Sequence, residues 1–565
     1  MKYQQGNPLI VQGDSTILIE VNTPQYQAAR DAIIRFAELE KSPEHIHTYR
    51  ISPLSLWNAA ASGMTAVQVI EQLNQYSKYD IPQNILRDIT EYVARYGKVK
   101  LIKGETSDQL LLTSDDAILI EEILNYKSAQ PYIDSVIDKN TVSVKPEFRG
   151  LIKQVLIKMG FPVEDLAGYR EGTPHTILLR KSTQCSAPFT LRHYQEDAIE
   201  RFYQSGSVRG GSGVIVLPCG AGKTIVGLGV MARLSMQTLI LCTNIVAVRQ
   251  WIDELLDKTE LNSEDIGEYS GELKQVKPIT ITTYQILTYR KNKQSDFPHF
   301  SLFNSMNWGL IIYDEVHLLP APVFRITSSI QATRRLGLTA TLIREDGKES
   351  DVFSLIGPKK QDVPWKDLEK EGWIATARCC EIRVSLSDQL RMQHAISTPK
   401  AQYRIACENP VKISIIEKLI EQHQNDNILI IGQFLTQLDE IAFCIGAPLI
   451  TGSTKNSERQ ILYDKFRAGE IKRLIVSKVA NFSVDLPDAN VAIQVSGTFG
   501  SRQEEAQRLG RILRPKEQGG FAHFYSIITR ETVDQKYAAK RQLFLTEQGY
   551  SYEIIDAESL LNSAH

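Results

Sequence analysis

Short apolar runs closed by turn-forming residues recur along the chain and alternate with amphipathic stretches. "GVIVLP", "TLILCT", "PITITT", "GLIIYDE" and "RRLGLTAT" read as strands, and their near-continuous apolar character predicts a parallel sheet with helices on both faces. After Trp373 the rhythm restarts with "RCCEIRV", "ILIIGQ", "APLITG", "RLIVSK", "VAIQVSG" and "AHFYSII". The pattern therefore predicts an α/β protein with two tandem doubly wound lobes, residues 191–371 and 372–565.

The leading part reads differently. Thr23 and Pro24 have the form of an N-cap and an N1 proline, opening a helix with Ala29, Ile33, Phe36 and Ala37 on one face. Three further helical segments follow, "SPLSLWNAAASG", "TAVQVIEQLNQYS" and "PQNILRDITEYVARYG", and then "KVKLIKGETSDQLLLTSD", a hairpin turning near Gly104. Three helices and a hairpin predict a winged-helix-like domain over residues 1–118. Its last helix mixes Arg87 and Arg95 with Asp88 and Glu91, which suits DNA and a protein partner equally. A second small α/β unit and a polar linker, "KSTQCSAPFT", fill residues 119–190.

Composition narrows the picture only slightly. The chain has 565 residues, 42% hydrophobic and 23% charged, with a formal net charge of −2. Any nucleic-acid contact must then come from local basic surface and not from a global field. Seven cysteines without a C-x-x-C pair offer no metal framework and no disulfide ladder, and a reducing cytoplasm is expected. No run is apolar and long enough for a bilayer span, and the N-terminus lacks a signal core, so neither secretion nor a membrane partner is expected.

The chemistry enters at "LPCGAGKT". A loop leaving a strand and opening a helix presents unpaired N–H groups and a partial positive charge, which attract phosphate. Gly220 and Gly222 let the backbone come close, Lys223 can reach the β- and γ-phosphates, and the Thr224 hydroxyl can ligate Mg²⁺. Leu217 stands where the full P-loop pattern has its first glycine. The metal half comes from "GLIIYDEVH": Asp314 and Glu315 leave the carboxyl end of a strand, Asp314 to hold the metal and Glu315 to activate water. His317 reads as a hydrogen-bonding relay before it reads as a metal ligand. In "QEEAQRLGRILRP", Arg508, Arg511 and Arg514 share one helical face. There they serve as fingers for the γ-phosphate or as a solvated basic surface.

These motifs resemble those of superfamily 2 helicases: "LRHYQEDAIERF" the Q motif, "LPCGAGKT" motif I, "DEVH" motif II, "TAT" (Thr339 to Thr341) motif III and "QRLGRILRP" motif VI. Within the superfamily the chain is similar to the xeroderma pigmentosum group B (XPB) family in its prokaryotic form. The likeness rests on the "RED" run Arg344, Glu345 and Asp346, on "SKVANFSVDLPDANVAIQVSG", on the tail "KRQLFLTEQGYSYEIID" and on the leading "SPEHIHTYRISPLSLWNAAASG".

The resemblance implies RecA-like lobes and an ATP-dependent 3′→5′ DNA helicase or translocase with Mg²⁺, acting in nucleotide excision repair. It implies a damage-recognition unit before the first lobe, and makes "SDQLRMQHAISTPKAQYRIACENP" either a thumb or a packed helical insertion. Pro218, Cys219, Gly220, Ala221, Gly222, Lys223 and Thr224 would cradle the nucleotide with Gln507 and Asp485, the latter at the ribose. Gln195, with donor and acceptor side by side, would read adenine. Arg192 would support that site or form a plain salt bridge. Thr243, Thr282 and Thr283 would grip DNA phosphates, the RED loop would sit at the duplex fork or be a charged turn, and Thr339 and Thr341 would link nucleotide state to DNA grip. The implied partners are single-stranded or forked DNA and a repair nuclease or other repair protein, in the cytoplasm at the nucleoid. Rival readings are an RNA helicase, a translocase that moves on duplex without unwinding it, and an ATP-gated scaffold that recruits the nuclease.

Overall fold

The computed structural model describes residues 3–42, 45–105, 109–218, 220–292, 297–331, 333–340, 342, 347–477, 489–497 and 521–562. The chain divides into two compact units, Met1–Leu217 with Gly222–Val363, and Pro364–His565 with Pro218–Ala221.

The first unit opens with an antiparallel sheet of β1 (Leu9–Val11), β2 (Thr16–Glu20), β3 (Glu38–Lys41) and β4 (Ile46–Arg50), in the order β1-β2-β4-β3. Helix α1 (Tyr26–Ile33) lies between β2 and β3. It starts later than its sequence signal: Gln25 is the N-cap and makes no side-chain capping bond. The Thr23 hydroxyl instead donates back to the Glu20 carbonyl at 3.1 Å. Helices α2 (Pro53–Ala61), α3 (Ala66–Tyr76) and α4 (Gln83–Arg95) follow. Ser52 with Ser55 and Thr65 with Gln68 form reciprocal capping boxes at the first two, each satisfying two otherwise orphaned donors. On α4, Arg87 pairs with Asp88 and Arg95 with Glu91, so these cations are partly neutralised by their own helix.

The hairpin expected as the wing belongs elsewhere. β5 (Val99–Lys103) and β6 (Leu110–Ser114) pair with each other. The free edge of β6 then joins β8 (Thr141–Val144), and that of β5 joins β9 (Val163–Asp165). With β7 (Ile133–Asp138) they form a five-stranded sheet, β7-β8-β6-β5-β9. The physical reason is burial: Val99, Leu101, Leu110 and Leu112 turn into one core with Ile120 and Ile123 of α5 (Ala117–Asn125) and Ile152 and Leu156 of α6 (Arg149–Met159). A solvated wing would leave those side chains in water.

The nucleotide-type lobe is a seven-stranded, all-parallel sheet, as its apolar runs predict. It contains α7 (His193–Tyr203), β10 (Ser212–Val216), α8 (Lys223–Leu234), β11 (Thr238–Cys242), α9 (Ile245–Lys258), β12 (Ile266–Tyr269), β13 (Ile279–Thr283) and α10 (Tyr284–Leu287). Then come β14 (Leu310–Asp314), α11 (Ala321–Ser329), β15 (Arg334–Thr339), α12 (Glu349–Leu355) and β16 (Lys359–Asp362). The order is β12-β13-β11-β14-β15-β10-β16.

The five-stranded sheet is fastened to this lobe through α6. Gly150 sits so close to α11 that a Cβ would lie 2.4 Å from the Ser328 carbonyl oxygen. Lys153 donates to Gln331 Oε1 at 2.6 Å and to Asp165 Oδ2 at 2.9 Å, and Gln154 reaches Asp351 at 2.8 Å. Arg149 clamps Asp165 with two bonds. Arg149 and Lys153 thus share the Asp165 carboxylate, an opposite charge of the kind that burial of ions demands.

The second unit repeats the parallel plan. After α13 (Trp365–Lys370) it contains β17 (Ala377–Val384), α14 (Asp388–Ile396), α15 (Pro399–Cys407), α16 (Val411–Gln422), β18 (Ile428–Gly432) and α17 (Leu435–Ile445). β19 (Leu449–Ile450), α18 (Asn456–Arg467), β20 (Arg473–Ser477), β21 (Val491–Gln494), β22 (Ala522–Thr529), α19 (Val533–Glu547), β23 (Tyr552–Asp556) and α20 (Ala557–Asn562) complete it. The sheet order is β19-β20-β18-β21-β22-β17-β23. In the thumb-or-insertion segment α14 buries none of its residues, whereas α15 buries Tyr403, Ala406 and Cys407. No helix among the described residues is long and apolar enough to cross a membrane.

Candidate functional site

β14, β15 and β10 are adjacent and parallel. Their carboxyl ends therefore deliver Asp314, Thr339 and the phosphate-type loop to one edge, where open α/β sheets bind ligands. β14 is apolar and buried up to its last residue, Asp314, which is half-buried, whereas β10 and β15 stay buried to their carboxyl ends.

The loop re-enters helix at Lys223, with Gly222 as N-cap at φ 83°. A Cβ at Gly222 would lie 2.5 Å from Gln195 Nε2, so both the left-handed backbone and the close neighbour require glycine. Gly220 is also left-handed, φ 81°. A backbone this bare, opening a helix, is a cradle for phosphate oxygens. Lys223 Nζ lies 3.0 Å from Glu315 Oε1.

Glu315 itself has φ 48°, a strained conformation for a residue with a side chain, costing about 1–3 kcal/mol. That turn lets its backbone N–H donate to Asp314 Oδ1 at 3.0 Å. Asp314 Oδ2 accepts from Trp251 Nε1, also at 3.0 Å, and its carbonyl accepts from the Tyr284 hydroxyl at 2.9 Å. Burial, and then the adjacent Glu315 carboxylate, push Asp314 up to about 6, while Lys223 and the indole N–H pull the other way. The Asp314 carboxylate, with Glu315 beside it and the Thr224 hydroxyl at the start of α8, offers hard oxygen donors of the kind that suit a divalent cation. Among the described residues no group of three or more His, Cys, Asp or Glu side chains is placed to hold a metal ion.

His317 is buried between motif II and β15. Its Nδ1 lies 2.7 Å from Thr339 Oγ1 and 3.4 Å from Glu315 Oε2, so it bridges motif II to the end of β15. Gln195 is buried, and its Oε1 accepts the Arg192 backbone N–H at 3.0 Å, which engages one of its two lone pairs. The Arg192 guanidinium donates to the Tyr194 hydroxyl at 3.1 Å.

The three threonines expected on a DNA strand separate. Thr243 is partly exposed and accepts from Asn244 Nδ2. Thr283 is buried and spends its hydroxyl capping α10, accepting from the Ile286 N–H at 3.2 Å. Thr282 turns its hydroxyl away from solvent: it is fully buried within β13, with no hydrogen-bond partner among the described residues. A strand covered on both faces buries alternate positions equally, which corrects the expectation for this residue. Thr282→Val should therefore raise stability by about 1 kcal/mol, by removing an unsatisfied buried hydroxyl. DNA-stimulated ATP hydrolysis should stay unchanged. Denaturant unfolding and a phosphate-release assay measure the two.

Cys219, Thr341, Arg344, Glu345, Asp346, Asp485, Gln507, Arg508, Arg511 and Arg514 lie outside the described residues. Trp251 and Tyr284 were not foreseen; each carries its polar atom to Asp314 from a distant stretch, and no local pattern marks that pairing.

Residues 368–565 match the ERCC3/RAD25/XPB C-terminal helicase family, residues 188–344 the type III restriction enzyme res subunit, and residues 9–137 a helicase conserved C-terminal domain. The DNA 3′–5′ helicase XPB of Mycobacterium tuberculosis is 55% identical over 557 residues, covering 99% of this chain and 99% of the relative. The general transcription and DNA repair factor IIH helicase/translocase subunit XPB of Enterocytozoon bieneusi is 34% identical over 570 residues, 97% of this chain and 92% of the relative. Among solved structures, the ATP-dependent type ISP restriction-modification enzyme LlaBIII bound to DNA aligns with a TM-score of 0.50 at 14% identity. That alignment covers 66% of this chain and 31% of the other, a likeness of fold.

Proposed function

The chain belongs to the XPB helicase family and is an ATP-dependent 3′–5′ DNA helicase, and we propose that the carboxyl edge formed by β10, β14 and β15 is its hydrolytic centre. The observation that carries this reading is the 3.0 Å pair between Lys223 Nζ and Glu315 Oε1, beside a half-buried Asp314.

Lys223 neutralises Glu315 while the two are paired. A lysine that turns to the β- and γ-phosphates gives up that pair, and the released carboxylate, no longer beside an ammonium, becomes a stronger base. Glu315 then takes the proton of the attacking water at its Oε atoms. Thr224 and Asp314 would hold Mg²⁺, which when bound supplies charge neutralisation to the phosphates. His317 keeps Glu315 in register with Thr339, so a change at the carboxylate is felt at the end of β15. Gln195 contributes adenine preference through its side-chain amide. Arg508, Arg511 and Arg514 supply cationic stabilisation of the transferring phosphoryl group. Thr243 offers a phosphate contact to the DNA strand. The cellular setting that this fits is excision repair at the nucleoid, with a nuclease or other repair protein as partner.

The direct test is strand displacement on forked duplexes of both polarities. Displacement from a 3′ tail, absent from a 5′ tail, is the expected result. ATP hydrolysis stimulated only by blunt duplex, without displacement, would favour translocation without unwinding.

The raised Asp314 value has a consequence for pH. The folded chain binds that proton more tightly than the unfolded one, so with a chelator present this group costs stability as pH rises from about 4 to about 6. Metal binding needs the carboxylate form, so protons compete with it below about 6. The Mg²⁺ concentration that half-saturates ATP hydrolysis should rise about tenfold per pH unit below about 6. Mg²⁺ titrations of the initial rate across that window measure it.

A further inference from the structure

Trp251 stands on α9, two turns past the Asn244 side chain that caps that helix. It is 1% exposed. Its ring makes two contacts with parts of the site that are far apart in sequence. Nε1–H donates to Asp314 Oδ2, while the far edge of the ring lies against α8, where a Cβ at Gly227 would come within 2.5 Å of Cη2. Gly227 lies three residues beyond Thr224, on the neighbouring turn of the same helix. One stiff, planar side chain thus spans the distance from the carboxylate of Asp314 to the helix that carries the Thr224 hydroxyl.

The second carboxylate oxygen of Asp314 is held independently by the Glu315 N–H. With a donor on each oxygen, the carboxylate cannot rotate without losing one of them. A hydrogen bond to an ionised acceptor in a water-excluded setting is the strong kind. A side chain that only fills space between α8 and α9 needs a ring; it does not need an N–H aimed at a carboxylate.

We propose that Trp251 is a positioning residue of the ATPase, setting both the orientation of the Asp314 carboxylate and its spacing from Thr224, as a divalent cation shared by the two requires. The proposal rests on the reading of Thr224 and Asp314 as the ligand pair. Outer-shell partners of ligating carboxylates change metal affinity by about 10–100-fold when removed, and Trp251 occupies that position. The glycine at 227 is part of the same device, because it admits the ring edge.

The measurement is the factor by which saturating Mg²⁺ tightens binding of a fluorescent, non-hydrolysable ATP analogue to the full chain. Trp251→Phe should lower that factor by about tenfold or more and leave the metal-free affinity within about twofold, since the phosphate loop and Lys223 are untouched. Gly227→Ala, which displaces the ring while sparing both polar partners, should act in the same direction. Leu255→Ala removes a fully buried side chain from the same helix without touching Asp314, and should leave the factor unchanged. An undiminished factor in Trp251→Phe overturns the proposal, as does an equal loss in Leu255→Ala. An undiminished factor in Asp314→Asn would instead overturn the ligand pair itself, a separate failure.

Discussion

Glu315→Gln should lower ATP turnover by about 10²–10⁴-fold, the span of a lost general base, while nucleotide affinity is kept or improved. The amide matches the carboxylate in shape and cannot accept the proton of the attacking water. Its oxygen can still accept from Lys223, but without the charge of the Glu315 carboxylate that makes the 3.0 Å contact an ion pair. The lysine then turns toward phosphate at a lower electrostatic cost, so binding does not suffer with chemistry. Steady-state phosphate release gives the first quantity and equilibrium titration with a fluorescent analogue the second. Displacement from a 3′ tail should vanish with turnover. A variant that turns over within tenfold of wild type would remove Glu315 from the role of base.

Lys223→Ala should produce the complementary defect. Loss of a cation aimed at developing charge costs about 10²–10³-fold in turnover, and here the affinity for ATP falls as well. A second effect follows from burial. Glu315, 18% exposed at its side chain, would stand beside Asp314 with its ammonium gone, and like charges in close contact push one of the pair to hold a proton. Asp314, already raised, should rise further. The pH below which Mg²⁺ support is lost should therefore move upward in this variant, which phosphate release at several pH values would show. DNA binding and assembly with a protein partner should survive, because no strand contact depends on Lys223. If strand separation persisted as well, hydrolysis at this site would not be what drives it.

The parts of this site that could be read from sequence are those carried by short contiguous patterns. "GVIVLPCGAGKT" and "GLIIYDEVH" place an apolar strand and its polar outlet side by side in the chain, so strand, loop and chemistry are legible together. The parallel order of the sheet follows from the same runs. What escaped was set by tertiary pairing. β12 and β16, "IGEY" and "KKQD", are edge strands with little apolar signal, and only their neighbours make them strands. The hairpin at Val99–Ser114 was legible as a hairpin, yet its two free edges decide its sheet, and their partners lie downstream. Trp251 meets Asp314 across 63 residues; its place on an amphipathic helix marks it for the core without saying what its N–H will find. Thr282 shows the reverse case, a polar residue whose strand lies covered on both faces.

The seam between α6 and α11 limits how the protein can be rebuilt from pieces of its kin. A chimera that exchanges residues 99–165 imports whatever side chain a donor carries at position 150 into a gap too narrow for a single methyl, and strips Gln331 of its lysine unless position 153 is preserved. The exchangeable module is therefore the sheet together with its landing strip on the motor, Ser328 to Gln331. Swaps drawn along the sheet boundary alone should yield insoluble protein where swaps that carry both halves yield soluble hybrids.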